Sequence, residues 1–271
     1  MTTESNLKKD RNLVRRHPLA SFFVLSYLFF LIAILIIAAV ISLTTVSAIA
    51  MGLLIAFASW TPNVAAVVVA GVTGGGASIR RLFAGWLKWR VNLWLYLVCL
   101  APLAIAFVSA GLYSLFGNAS APAATSQLTA SGLVSMLFFH AIQGATGEEL
   151  GWRGFALPAL QRRFSPLVSA VVLGLVISGW HGLLHLASPA GVPEWQFWIV
   201  LVSYSVIVTW AYNRSKGSVL IATVFHFAFN LSLGLVSTGL ALVPLEILFR
   251  IETAIYAGFA VILIIATGKR L

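Results

Sequence analysis

The chain has 271 residues, 60% of them hydrophobic and only 9% charged, with a formal net charge of +10. That usage excludes an ordinary soluble globular domain, and the length leaves room for seven or eight membrane spans of about 20 residues with little left over. The basic residues lie between apolar runs rather than on one face, so they read as topology determinants and not as a nucleic-acid surface.

At the amino end, Lys8, Lys9, Arg11, Arg15 and Arg16 precede a long apolar run with no small-residue cleavage site. This pattern predicts a basic cytoplasmic tail over 1–18 and an uncleaved first span, followed by one integral domain over 19–271. Apolar stretches near 19–43, 47–74, 91–116, 129–148, 166–187, 196–212, 218–239 and 243–267 predict an all-α, polytopic bundle of about eight transmembrane helices. Trp60, Thr61 and Pro62 interrupt the second stretch, which predicts a re-entrant or interfacial piece over 43–59 and a span starting near Pro62. Gly74, Gly75 and Gly76 follow in a basic loop without the spacing of a phosphate-binding loop, and predict local flexibility.

Lysine and arginine cluster in alternate connections: the tail, then Arg80 to Arg90, Arg153 to Arg163, Arg214 with Lys216, and Lys269 with Arg270. With eight spans, all 17 basic residues except Arg250 fall on one side, which predicts both ends facing the cytoplasm of a multi-pass cell-membrane protein. The intervening loops near 117–128 and 188–195 carry no basic residue. Asn118-Ala119-Ser120 matches a glycosylation acceptor, a pattern too short to carry weight. Trp86, Trp89 and Trp94 suit the inner interfacial belt, and Trp195, Phe197 and Trp198 the outer one. The single cysteine, Cys99, sits inside an apolar run and is expected to be a buried, inert thiol, so neither a disulfide framework nor a cysteine-based metal site can form.

Chemistry is confined to few residues. Glu148 and Glu149 are the only acidic side chains between Asp10 and Glu194, placed at the inner end of a predicted span, where ionisable groups are functional by default. On a helix Glu149 and Arg153 share a face and can pair, while Glu148 points away with no local cation, suited to activating water. His181 and His185 lie four apart on one span, and His226 and Asn230 four apart on another. An imidazole can share the attacking water with Glu148, and His226 with Asn230 can donate to an oxyanion. These parts suit water-mediated acyl transfer.

Glu148-Glu149-Leu150-Gly151-Trp152-Arg153, then Trp180-His181, then His226-Phe227-Ala228-Phe229-Asn230 resemble the three motifs of the CAAX protease and bacteriocin-processing family, glutamate-dependent intramembrane endopeptidases. The resemblance covers about 130–240. The family pattern is Glu-Glu-x-x-x-Arg, Phe-x-x-x-His and His-x-x-x-Asn or Asp; Ile177 stands where phenylalanine is usual, so His185 stays beside His181 as the second-motif histidine. The resemblance implies Glu148 as general base, His181 positioning the water, His226 and Asn230 forming the oxyanion site, and Glu149 and Arg153 organising the pocket. It implies a peptide or protein substrate, a prenylated carboxyl-terminal peptide in the eukaryotic members, together with membrane lipid and no cofactor.

Other readings compete. No His-Glu-x-x-His motif supports a zinc protease, and Asp10 is the sole aspartate, which excludes an aspartyl dyad. A rhomboid-like serine protease lacks a convincing nucleophile element. From another class, a bacteriocin immunity factor or small transporter would use the same polar cluster for binding or proton relay. His140 and His185 read as helix-packing histidines, and Glu246 with Arg250 as a mutually neutralising pair.

Overall fold

The computed structural model describes residues 12–116, 128–187 and 194–271. The start of the tail, Asn118 with most of its loop, and most of the loop over 188–195 lie outside the described residues, as does the side chain of His185. Every regular element among the described residues is helical. After a single turn at Leu13–Arg16 come α1 (Pro18–Leu43), α2 (Ala48–Ser59), α3 (Thr61–Ala84), α4 (Leu93–Val98) and α5 (Ala101–Phe116). A segmented stretch follows: α6 (Ala130–His140), a π turn at Ala141–Ala145, α7 (Thr146–Glu149), a second π turn at Leu150–Ala156 and α8 (Leu157–Gln161). The chain ends with α9 (Pro166–Ala187), α10 (Glu194–Arg214), α11 (Val219–Leu233), which runs into a π turn, and α12 (Leu245–Thr267).

Among the described residues seven helical stretches are long and apolar enough to cross a membrane. Helices follow because hydrocarbon offers no partner to backbone N–H and C=O groups, so a spanning segment must satisfy them internally. The outward face of α1 shows the matching surface: Val24, Leu28, Leu31, Ile32 and Leu35 are exposed, while Phe22, Ser26 and Phe30 are buried. Such an apolar face is a liability in water and an ordinary surface in lipid. Side-chain caps mark several starts, with Ser47 accepting from Ala50 N, Thr129 from Gly132 N and Ser218 from Ile221 N.

Three departures from the sequence reading matter for the site. The stretch predicted as a fourth span neither forms one regular helix nor stops after Glu149; it continues through two π turns to Gln161, so the glutamates lie within it rather than at its end. Gln143, with ψ of −111°, breaks the regular path, and small residues at 144, 145, 147 and 151 leave room for the wider turns. Gly74 to Gly76 are not a loop. They sit in α3, where Gly75 kinks the helix with φ of 63° and ψ of −158° before it resumes to carry Arg80 and Arg81. Phe197, read as part of the outer belt, instead packs on the rings of His181 and Phe249 at 5.8 and 6.3 Å. The break at Trp60 agrees with the expected two-part second stretch.

Of the spanning stretches α10 and α11 are the most buried and α1 the most exposed. α9 packs on α10, α10 on α12, and α3 lies between α1 and the Leu150–Ala156 turn. Basic loops gather at one end: Lys88 Nζ donates to Lys216 O, Val219 N to Gly85 O, and Gln161 Nε2 to Asn213 Oδ1. Leu271 packs with Ala170, near the start of α9. Cys99 is fully buried, and Glu246 pairs with Arg250 on an exposed face of α12.

Gly75 occupies a backbone region open essentially to glycine alone, so Gly75→Ala should cost roughly 1–3 kcal/mol of stability. Equilibrium unfolding in detergent measures it, and an unchanged midpoint would show that the kink is dispensable.

Candidate active site

The site is built on a carboxylate with no access to solvent. Glu149 Oε1 accepts a hydrogen bond from Arg153 Nη1 at 2.9 Å and one from His226 Nδ1 at 2.8 Å. Both members of the Glu149–Arg153 pair are almost wholly buried, and breaking such a pair leaves an uncompensated charge. Arg153 Nε and Nη2 have no hydrogen-bond partner among the described residues, and the guanidinium instead lies 5.4 Å above the ring of Tyr204. Tyr204 also meets the His226 ring at 5.8 Å, so α10 closes the cluster from behind.

Glu148 takes a different direction. Its Oε2 accepts from Trp152 Nε1 at 3.2 Å, and among the described residues it forms no ion pair. It lines a cavity of about 170 Å³ together with His181, His226 and Asn230. His181 Nδ1 lies 3.0 Å from the carbonyl of Ile177, which only accepts, so Nδ1 carries a proton. Ile177, in the place of the usual phenylalanine, is buried and supplies that carbonyl. Trp180 stacks on Phe30 at 3.9 Å and donates to Ser26 O, which fixes the turn bearing His181 against α1. His140 packs against Gly234 and does not line the cavity, in keeping with a packing role.

Residues outside the motifs hold the glutamates in place. Asn63, at the start of α3, donates to Thr146 O at 2.7 Å and accepts from Gly151 N at 2.9 Å, so one side chain clamps both sides of the Glu148–Glu149 turn. Trp60 Nε1 donates to Ile142 O and Gln143 Nε2 to Gly52 O. Close approach demands glycine here. A Cβ at Gly151 would stand 2.6 Å from the carbonyl oxygen of Pro62, and one at Gly144 would stand 2.5 Å from Asn230 Nδ2 and 2.8 Å from His226 Nε2. No motif marked Asn63, Trp60 or Tyr204; the one available signal was an asparagine following a Trp-Thr-Pro break in an apolar run. Glu252, a further buried carboxyl on α12 with no hydrogen-bond partner among the described residues, was likewise unmarked. Among the described residues no group of three His, Cys, Asp or Glu side chains could hold a metal ion.

Residues 130–232 match the family model for type II CAAX prenyl endopeptidase Rce1-like proteins. Residues 130–232, which carry all three motifs, are similar to type II CAAX endopeptidases. Over 130 residues the chain is 29% identical to the protein named CAAX prenyl protease 2 of Methanococcus maripaludis. That alignment takes in 44% of this chain and 48% of the relative, so the chain spans about half the length of the curated relative it matches. The matched region coincides with the segment that holds α6 through α11 and every residue of the three motifs.

Removing the clamp should loosen the glutamate turn. Asn63→Ala removes a bond from a part-buried carbonyl and leaves a buried N–H without its partner, and should destabilise by roughly 1–3 kcal/mol. Equilibrium unfolding checks the loss, and amide exchange near 146–151 should quicken with it. An effect below about 0.5 kcal/mol would mean the clamp is incidental.

Proposed function

We propose that this protein is an intramembrane endopeptidase that hydrolyses a peptide bond by glutamate-activated water, without a metal ion. The observation that carries the proposal is the convergence of Glu148, His181, His226 and Asn230 on one cavity. The likeness of 130–232 to type II CAAX endopeptidases supports the same reaction class.

In this mechanism Glu148 takes a proton from a water held in the cavity, and His181 Nε2 accepts the water's second hydrogen bond. The water oxygen attacks the scissile carbonyl carbon, and the carbonyl oxygen becomes an oxyanion. Asn230 Nδ2 donates to it, as does His226 Nε2 when the ring is doubly protonated, since its Nδ1 proton is engaged by Glu149. The positive ring then lies against the Glu149 carboxylate, which Arg153 fixes from the other side. When the tetrahedral intermediate collapses, the C–N bond breaks and Glu148 returns its proton to the departing amine. Glu149 and Arg153 position the donors without touching substrate.

With both ends and the basic loops assigned to the cytoplasm of a cell-membrane protein, the site lies among the spanning helices, inside the bilayer. At 1.5 Å per residue His226 is about 12 Å along α11 from Ser218. Against a hydrocarbon core of about 30 Å, this depth supports scission within the membrane rather than at its surface. Phe30, Ile37, Ile55 and Trp180 wall the cavity, which suits an apolar segment beside the scissile bond. A prenyl group is what the relative's name specifies for that protein. For this chain a lipidated peptide is the first substrate to assay, with an unlipidated one beside it.

Glu148→Gln should reduce cleavage by about 10²–10⁴-fold while leaving membrane insertion and abundance unchanged, and strong chelators should leave the unsubstituted protein active. Cleavage that survives Glu148→Gln would contradict the mechanism and favour a binding or proton-relay role for the cluster. Loss of activity to chelators, restored by zinc, would contradict its metal independence.

A further inference from the structure

A second recess opens at the end of the bundle where the basic loops meet, about 330 Å³ in volume, between α3 and the start of α8. Arg81, Ser78 and Thr73 line it from α3, and Gly154, Phe155 and Arg162 from the opposite wall. Two guanidinium groups from separate elements therefore face one small space. Among the described residues neither is bonded to a carboxylate; Arg81 Nη2 donates to Ser78 Oγ at 2.7 Å. The local backbone favours this arrangement. The kink at Gly75 redirects α3, and the bare Cα of Gly74 admits Ser78 Oγ, which would stand 2.1 Å from a Cβ there.

Two unneutralised cations in one recess repel each other, and an anion between them removes that cost. Arginine forks, with a hydroxyl beside them, match the geometry of a phosphate group, and basic pockets between helices at the membrane interface favour anionic headgroups. The half-buried ring of Phe155 is the apolar edge of a recess whose surface is otherwise mainly polar. We propose that this recess binds the phosphate of an anionic phospholipid. Gly154 and Phe155 directly follow Arg153, so a bound headgroup would bridge α3 to the stretch that carries the two glutamates.

The test uses the full chain in detergent, with phosphatidylglycerol, phosphatidylcholine and inorganic phosphate as probes, read by lipid retention in native mass spectrometry and by the thermal midpoint. Phosphatidylglycerol should be retained and should raise the midpoint, and phosphatidylcholine should do neither. Arg81→Gln with Arg162→Gln should weaken phosphatidylglycerol retention by about tenfold or more, the equivalent of about 1.4 kcal/mol. Arg80→Gln with Arg163→Gln, which removes the same charge from positions that do not line the recess, should change it little. If the first double variant does not fold, Arg162→Gln alone carries the comparison. Equal loss in both double variants, or none in the first, overturns the site; an equal midpoint shift from inorganic phosphate alone overturns a lipid as its ligand.

Discussion

The buried carboxylate of Glu149 is the constraint around which this bundle is arranged. In a low-dielectric interior a carboxylate persists as an ion only if its charge and lone pairs are met by nearby donors. Arg153, four residues on, meets it from the same stretch, and His226 meets it from α11, 77 positions away in sequence. Once α11 is tied in this way its next turn brings Asn230 beside Gly144, and Tyr204 of α10 covers the guanidinium. The bond from Glu149 thus fixes which nitrogen of His226 faces the cavity. Glu148, adjacent in sequence but turned elsewhere, is left in the cavity with the Trp152 indole as its one donor among the described residues. Two neighbouring carboxyl groups acquire two environments from one helical turn.

Close packing makes that turn possible. Gly151 lies against the carbonyl of Pro62, and Gly147 against Ser59 and Trp60 at the junction of α2 and α3. The break at Trp60 exposes the start of α3, so the Asn63 side chain can reach backbone groups on both sides of the glutamates. The π turns flanking α7 belong to the same solution. A π turn within a helix widens the backbone locally and re-aims side chains, a feature frequent at functional sites. Here two such turns bracket the residue proposed to activate water.

Much of the fold was legible in the sequence because apolar runs of spanning length have few ways to be arranged in lipid. The break at Trp60, the buried Cys99 and the exposed Glu246–Arg250 pair followed from local pattern alone. The Glu149–Arg153 pair followed from helical spacing, and it survives even though the turn between the two residues is π-helical. What the pattern could not carry was contact between distant segments. Nothing near Asn63 or Tyr204 states which backbone or guanidinium they will meet, and the His226–Glu149 bond joins two motifs that sequence alone lists side by side. The continuation of the glutamate stretch to Gln161 was hidden because the double glutamate and Arg153 look like the polar end of a span. Glu149 and Arg153 neutralise each other inside the bundle, so the helix can proceed.

The account stands on energetic coupling between Glu149 and His226 across two segments. A double-mutant cycle with Glu149→Gln and His226→Ala, read by equilibrium unfolding in detergent, measures it directly. The predicted coupling is about 1–3 kcal/mol, since each single change leaves the other partner buried without its hydrogen bond. Additivity within about 0.5 kcal/mol would show that the two side chains do not depend on each other, and the arrangement of donors around the cavity would lose its basis.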